Sequence, residues 1–204
     1  YANRITDIYY PSTLIDNATV VDGSGRSRYT ADVLVEGDRI AAVGDLEPRP
    51  GDMVVEANGL ILAPGFIDTH SHADSAIFDH PDALASVSQG ITTTVGGQDG
   101  GSELPLAEFF AKLERRHAAL NVASYAGHGT LRDQVMGEDY TRGATAAEVE
   151  RMQALLEEEM EAGALGLSTG LEYDPGIYST TDEVVALART AAVHGGRYIS
   201  HIRS

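Results

Sequence analysis

Read for its apolar and polar positions, the chain changes grammar once. Up to about residue 60 the apolar residues come in short, β-branched runs separated by turn residues. Thr13–Val21 is such a run, and Asp22-Gly23-Ser24-Gly25 turns behind it. Asp32–Glu36 alternates, Gly37-Asp38 turns it, and Arg39–Gly44 returns as the partner strand of a hairpin. Met53–Ala57 follows the Pro/Gly-rich stretch 48–51. No helical spacing separates these runs. They predict a small β module, and about 45 residues are too few to bury a core alone. The residues before it, ending at Tyr9-Tyr10-Pro11-Ser12, read as an irregular lead-in.

From Leu60 the pattern alternates between strand and helix. Leu60–Asp68 is apolar and extended, and Ala83–Gln89 predicts a short helix closed by Gly90. Ile91–Val95 is a buried-type strand. Leu106, Phe109, Phe110 and Leu113 recur at helical spacing, and Leu120–Tyr125 is the next strand. Thr145 and Glu148 form a capping box ahead of Val149, Met152, Leu156 and Met160. Ala164–Thr169 follows as a strand. A second box, Thr180 and Glu183, opens a helix that stops at Gly195-Gly196, and Arg197–His201 is the last strand. Four strand-helix units and one more strand predict an α/β fold with a parallel sheet. A doubly wound sheet lacks support, because no G-x-G-x-x-G follows the first strand. A (β/α)8 barrel needs eight units, so on that reading only the first five strands are present. The predicted division is 1–60 for the N-terminal part of a small β-sandwich module and 61–204 for the first half of a barrel.

Composition narrows the partners. Against 14 Lys+Arg stand 31 Asp+Glu, a net charge of −17 over 204 residues. Such a chain has little with which to neutralise nucleic-acid phosphates or an anionic membrane surface. It has no cysteine, which removes disulfides, thiolate metal ligands and thiol nucleophiles. No apolar run is long enough to span a bilayer. The first residue is Tyr1, so a processed exported protein and a trimmed cytoplasmic one both fit.

The strongest chemical signal is Asp68-Thr69-His70-Ser71-His72. Two histidines at i and i+2 on a strand point to one side. At the C-terminal end of the first strand they would face the barrel mouth, where such folds carry their sites. Imidazole is the commonest metal ligand. A His-x-His can also be an ordinary surface pair, but here an apolar strand delivers it. Ala63-Pro64-Gly65-Phe66-Ile67-Asp68-Thr69-His70-Ser71-His72 resembles the first-strand signature of the amidohydrolase superfamily. Four further stretches resemble its N-acyl-D-amino-acid deacylase (D-aminoacylase) branch. These are Gln89–Val95, Gly127-His128-Gly129-Thr130-Leu131-Arg132, Gly166-Leu167-Ser168-Thr169-Gly170-Leu171 and Ser200-His201-Ile202-Arg203.

That resemblance implies a zinc-dependent (β/α)8 TIM-type hydrolase barrel flanked by a small β domain built from both ends of a longer chain. It implies that His70, His72 and His201 bind one or two divalent ions. Many members of the branch carry a metal-binding Cys after the second strand, where Asp99 stands here. Glu172, after the fourth strand, is expected to bridge the metals, with Asp99 as the rival; a turn residue is the plainer reading of Asp99. Asp68 is expected to orient a ligand histidine. His128 is expected to touch substrate or a transition-state oxygen from a Gly-His-Gly turn, and Tyr173 to line the pocket. The acidic run Glu157–Glu159 reads as a solvated helix face. His80, His117 and His194 read as surface residues.

The implied activity is hydrolysis of N-acyl-D-amino acids, small molecules, to a carboxylate and a D-amino acid. Parts that the branch needs, a sixth-strand histidine and an eighth-strand aspartate, are not among these residues, so the remainder of the barrel is expected from further chain. A homo-oligomer stays open. Cyclic-amide hydrolases and isoaspartyl-type dipeptidases share the first-strand motif but favour a carboxylated Lys on strand four. The single Lys of this chain, Lys112, falls in a helix. A non-catalytic module of the same fold is the remaining alternative.

Overall fold

A β-branched N-terminal segment and an alternating strand-helix segment fold as two units, divided between Pro64 and Gly65. The computed structural model describes residues 12–74 and 76–204; the expected lead-in, up to Pro11, lies outside them. In the first unit β1 (Ser12–Val20) pairs antiparallel with β2 (Tyr29–Glu36), and β2 with β3 (Arg39–Gly44). The strands β4 (Met53–Glu56) and β5 (Ile61–Leu62) run parallel to β1 at its two ends. Ala18, Val20, Val33 and Ala57 make its small core. A bulge interrupts β1 between Ile15 and Ala18, where Asn17 takes a left-handed conformation (φ 54). The Asp32 carboxylate accepts the Asn17 N–H at 2.7 Å and the Leu46 N–H at 2.8 Å, so one side chain ties the bulge to the loop after β3.

In the second unit β6 (Phe66–Asp68), β7 (Ile91–Gly96) and β8 (Asn121–Ser124) form a parallel sheet in that order. A second parallel sheet holds β9 (Ala126–Gly127), β10 (Gly166–Gly170) and β11 (Arg197–His201) in sequence order. Only Tyr125 separates β8 from β9. The connections carry α1 (Leu84–Val87), α2 (Leu106–Arg116), α3 (His128–Met136), α4 (Ala146–Glu161) and α5 (Thr181–Val193). Leu106, Phe109, Leu131, Met152, Leu156, Leu167 and Leu187 form the core between helices and sheet. Fully burying one leucine contributes roughly 1.5–3 kcal/mol, so this cluster dominates the unit's stability.

The structure departs from the pattern in four places. Leu60–Asp68 is two short strands rather than one: Pro64 cannot donate to a ladder, and Gly65 packs so closely on Thr92 that a Cβ would lie 2.1 Å from its hydroxyl oxygen. Gly-His-Gly is not a turn. His128 opens α3, whose Leu131 and Met136 are buried. The Glu157–Glu159 run is not wholly solvated, since Glu159 is 3% exposed and accepts the Leu106 N–H at 2.7 Å, satisfying the start of α2 from α4. The second capping box is half formed. Thr180 Oγ1 accepts the Glu183 N–H at 3.2 Å, but the Glu183 carboxylate turns inward. The Thr145–Glu148 box is complete.

Candidate metal centre

The groups of interest all follow C-terminal ends of parallel strands, the edge where α/β folds place their ligands. His70 and His72 come just after β6, Asp99 three residues after β7, and His201 closes β11. His70 Nε2 and His72 Nε2 each lie 3.3 Å from Asp99 Oδ2. One donor atom from each of these three residues falls within 4.8 Å of the others. On the other side of the carboxylate, His201 Nδ1 is 3.8 Å from Asp99 Oδ1. Asp99 thus presents one oxygen to the paired histidines and the other to His201. Its side chain is 18% exposed, against 49% for His70 and 64% for His72.

These separations suit an ion better than direct hydrogen bonds. A charge-assisted N–H···O bond is about 2.7–2.9 Å. Two ligands about 2.05 Å from a tetrahedral zinc stand about 3.3 Å apart, and imidazole nitrogen with carboxylate oxygen is a normal zinc donor set. The residues therefore fit a divalent ion.

Other expected residues stand elsewhere. Glu172 does not join the paired histidines. Its Oε2 is 3.3 Å from His201 Nε2, on the ring edge away from Asp99, and its Oε1 accepts a 2.6 Å bond from Ser204 Oγ. The Ser204 hydroxyl and then His201 hold the Glu172 carboxyl below its ordinary pKa. The Tyr173 hydroxyl is 3.3 Å from His201 Nδ1, its ring 4.6 Å from the imidazole. The Asp68 carboxylate accepts the backbone N–H of His70 at 3.2 Å rather than a ring proton. His80, His117 and His194 are exposed.

His128 is not brought to the cluster. It is fully buried, and its Nε2 is 2.8 Å from Glu183 Oε1. The buried Arg132 donates to the same oxygen and to the carbonyls of Tyr140, at 2.9 Å, and Arg142, at 2.8 Å. Burial alone would raise the Glu183 pKa, but the hydrogen bonds from His128 and Arg132 outweigh it and leave the carboxyl at about 2. The expected contact of His128 with substrate is thus replaced by a buried ion network between α3 and α5. Sequence reasoning overlooked Gln98, Arg132 and Glu183 as supports of this end of the unit. Arg132 lies within the Gly-His-Gly-Thr-Leu-Arg stretch, and the available signal was a histidine and an arginine at i and i+4, which share one face of a helix.

A family model described as the amidohydrolase family matches residues 53–199. A D-aminoacylase of Alcaligenes xylosoxydans xylosoxydans is 38% identical over 213 residues, taking in 93% of this chain and 44% of that protein. An N-acyl-D-aspartate deacylase of the same organism is 40% identical over 214 residues, covering 93% and 43%. The crystal structure of a Bordetella bronchiseptica N-acyl-D-glutamate deacylase, complexed with zinc and a phosphonate inhibitor, superposes with a TM-score of 0.91 at 37% identity. That match covers 96% of this chain and 45% of the other. The chain spans less than half the length of these relatives.

Proposed function

We propose, because this chain belongs to the amidohydrolase family, that the complete protein is a zinc-dependent hydrolase of linear amide bonds that releases D-amino acids from their N-acyl derivatives. The observation that carries this reading is the Asp99 carboxylate shared between the paired His70 and His72 and the lone His201. The relatives supply the substrate class: they are named for N-acyl-D-amino acids, and they align over nearly the whole of this chain. In this reading His70, His72 and Asp99 hold one ion, and Asp99 with His201 contributes to a second position.

A divalent ion held there supplies Lewis acidity for an acyl carbonyl and activation of water. The chain's own part is to hold donors in place. Asp68 fixes the backbone at His70. Tyr173 packs on the His201 ring and limits its rotation. Glu172 supports His201 from its far edge. The parallel stretches β6 to β11 are read as the first half of a (β/α)8 barrel, and residues 12–64 as part of a small β domain. The remaining strands, and further groups for substrate and proton transfer, come from chain beyond residue 204. Relatives more than twice as long support that arrangement.

The test uses the full-length protein. Zinc-loaded enzyme should release amino acid from N-acetyl-D-amino acids faster than from the L-forms, and lose that activity on chelation. Asp99→Ala should drop bound metal below that of the parent, while Glu172→Gln should retain it. A full-length protein with no bound divalent ion and no hydrolysis of N-acyl amino acids overturns the reading.

A further inference from the structure

Gln98 is 2% exposed and immediately precedes Asp99. Its side-chain amide donates to two backbone carbonyls, Thr69 O at 3.1 Å and Val95 O at 3.1 Å. Thr69 is the residue before His70, and Val95 lies in β7, the strand that leads to Asp99. The amide therefore bridges the segment that carries the paired histidines and the segment that carries the carboxylate. Its orientation is set by this network, because the reverse one would press the amide oxygen against both carbonyls. The Ser71 N–H also reaches Val95 O, at 3.0 Å, so the His70–His72 segment is tied on both sides of His70, to Gln98 before it and to β7 after it. The Gln98 backbone closes the turn as well: its carbonyl accepts the Gly101 N–H at 3.0 Å across Asp99 and Gly100, both left-handed (φ 53 and 81).

We infer that Gln98 is a positioning residue for the metal centre: its amide sets the distance between His70 and His72 and the Asp99 carboxylate. The inference rests on the metal reading above. A purely packing role is a poor account of this residue, since Oε1 is buried with no hydrogen-bond partner among the described residues. A buried, half-satisfied amide costs stability, and an apolar side chain of the same length would avoid that cost. What an apolar side chain cannot do is hold two strand ends together by directed bonds.

The experiment compares full-length parent, Gln98→Met, Gln98→Glu and a control, Gln153→Met. Gln153 is a part-buried amide that bonds Thr190 Oγ1 at 2.9 Å across the α4–α5 contact. Zinc affinity is measured by competition with a chromophoric chelator, geometry by the visible spectrum of the cobalt(II) form, and folding by circular dichroism of the metal-free protein. Residues that orient metal ligands typically change metal affinity by roughly 10–100-fold. Gln98→Met should weaken zinc by that factor and alter the cobalt bands while the metal-free protein stays folded. Gln98→Glu keeps the length but cannot donate to both carbonyls at once, and should behave alike. Gln153→Met should change neither metal readout. Parent-like affinity and spectrum in both Gln98 variants overturn the inference, as does equal weakening in Gln153→Met or failure of both Gln98 variants to fold. No zinc bound by the parent overturns the metal reading itself, and this inference with it.

Discussion

Glu183→Gln isolates the electrostatic cost of the buried network, because it keeps the side chain's shape and removes its charge. In the parent, one Glu183 oxygen receives both His128 and Arg132, and all three residues are essentially excluded from solvent. After the substitution Arg132 keeps the carbonyls of Tyr140 and Arg142 and a neutral amide oxygen, but no anion faces the buried guanidinium. Removing one partner of a buried ion pair costs about 3–5 kcal/mol, because the other charge stays desolvated. A second route gives a similar figure. The Glu183 carboxyl is lowered from 4.5 to about 2, and at 1.36 kcal/mol per pKa unit that is about 3 kcal/mol. The sign follows from linkage. A carboxyl depressed in the folded state stabilises above its unfolded pKa, and that contribution is lost as pH falls from about 4.5 through about 2. Urea unfolding of the full-length protein, parent against Glu183→Gln, is the assay. The gap should be about 3 kcal/mol at pH 7 and narrow by about 2 kcal/mol at pH 3. A gap below about 1 kcal/mol at pH 7, or one that does not change with pH, refutes the account.

Two further outcomes follow from the packing. Gly170→Ala would place a Cβ 2.0 Å from the Asp99 carbonyl oxygen. We expect a loss of about 1–3 kcal/mol in thermal unfolding, with weaker zinc binding because the Asp99 turn must move. Thr145→Ala removes the cap of α4, where Thr145 Oγ1 accepts the Glu148 N–H at 3.3 Å and the Glu148 carboxylate, held well below its ordinary pKa chiefly by Arg142, answers to the Thr145 N–H at 2.8 Å. It should cost about 1 kcal/mol in unfolding and be restored by Thr145→Ser, with metal affinity unchanged.

The strands and long helices were legible because their cause is local. Period-two runs and i, i+4 apolar spacing survive into the fold, as in Met152 and Leu156, both fully buried on α4. The short helix α3 was missed because two glycines flank His128, and what stabilises that helix is the burial of Leu131 and Met136, a tertiary effect. Glu159 was read as solvated because its neighbours in sequence are charged. Its partner, the Leu106 N–H, is 53 positions away. The paired His70 and His72 were legible for the same reason as the strands, since their spacing is local, whereas His201 entered only through the Ser-His-Ile-Arg resemblance. The placement of Asp99 between them was not legible. An aspartate in a glycine-rich turn is favoured there by its own backbone hydrogen bonding, so the residue type alone could not separate turn from ligand.

What separates them is how the glycine motifs pack on one another. Gly170, at the end of Gly-Leu-Ser-Thr-Gly, faces the Asp99 carbonyl, and Gly127, at the start of Gly-His-Gly, would place a Cβ 2.5 Å from the Gly100 carbonyl. Gly100 in turn donates to Ser168 Oγ at 3.2 Å, and its carbonyl accepts the Thr130 N–H at 3.1 Å. Three motifs that read in sequence as separate stretches, one a strand and two turns, are therefore one contact, in which bare backbones close around residues 99–101. A side chain at Gly127 or Gly170 would force this turn outward. The turn, rather than the aspartate, is what these motifs specify. A left-handed aspartate held that tightly has its carboxylate aimed by the backbone, and it is aimed at three histidines from two other strand ends.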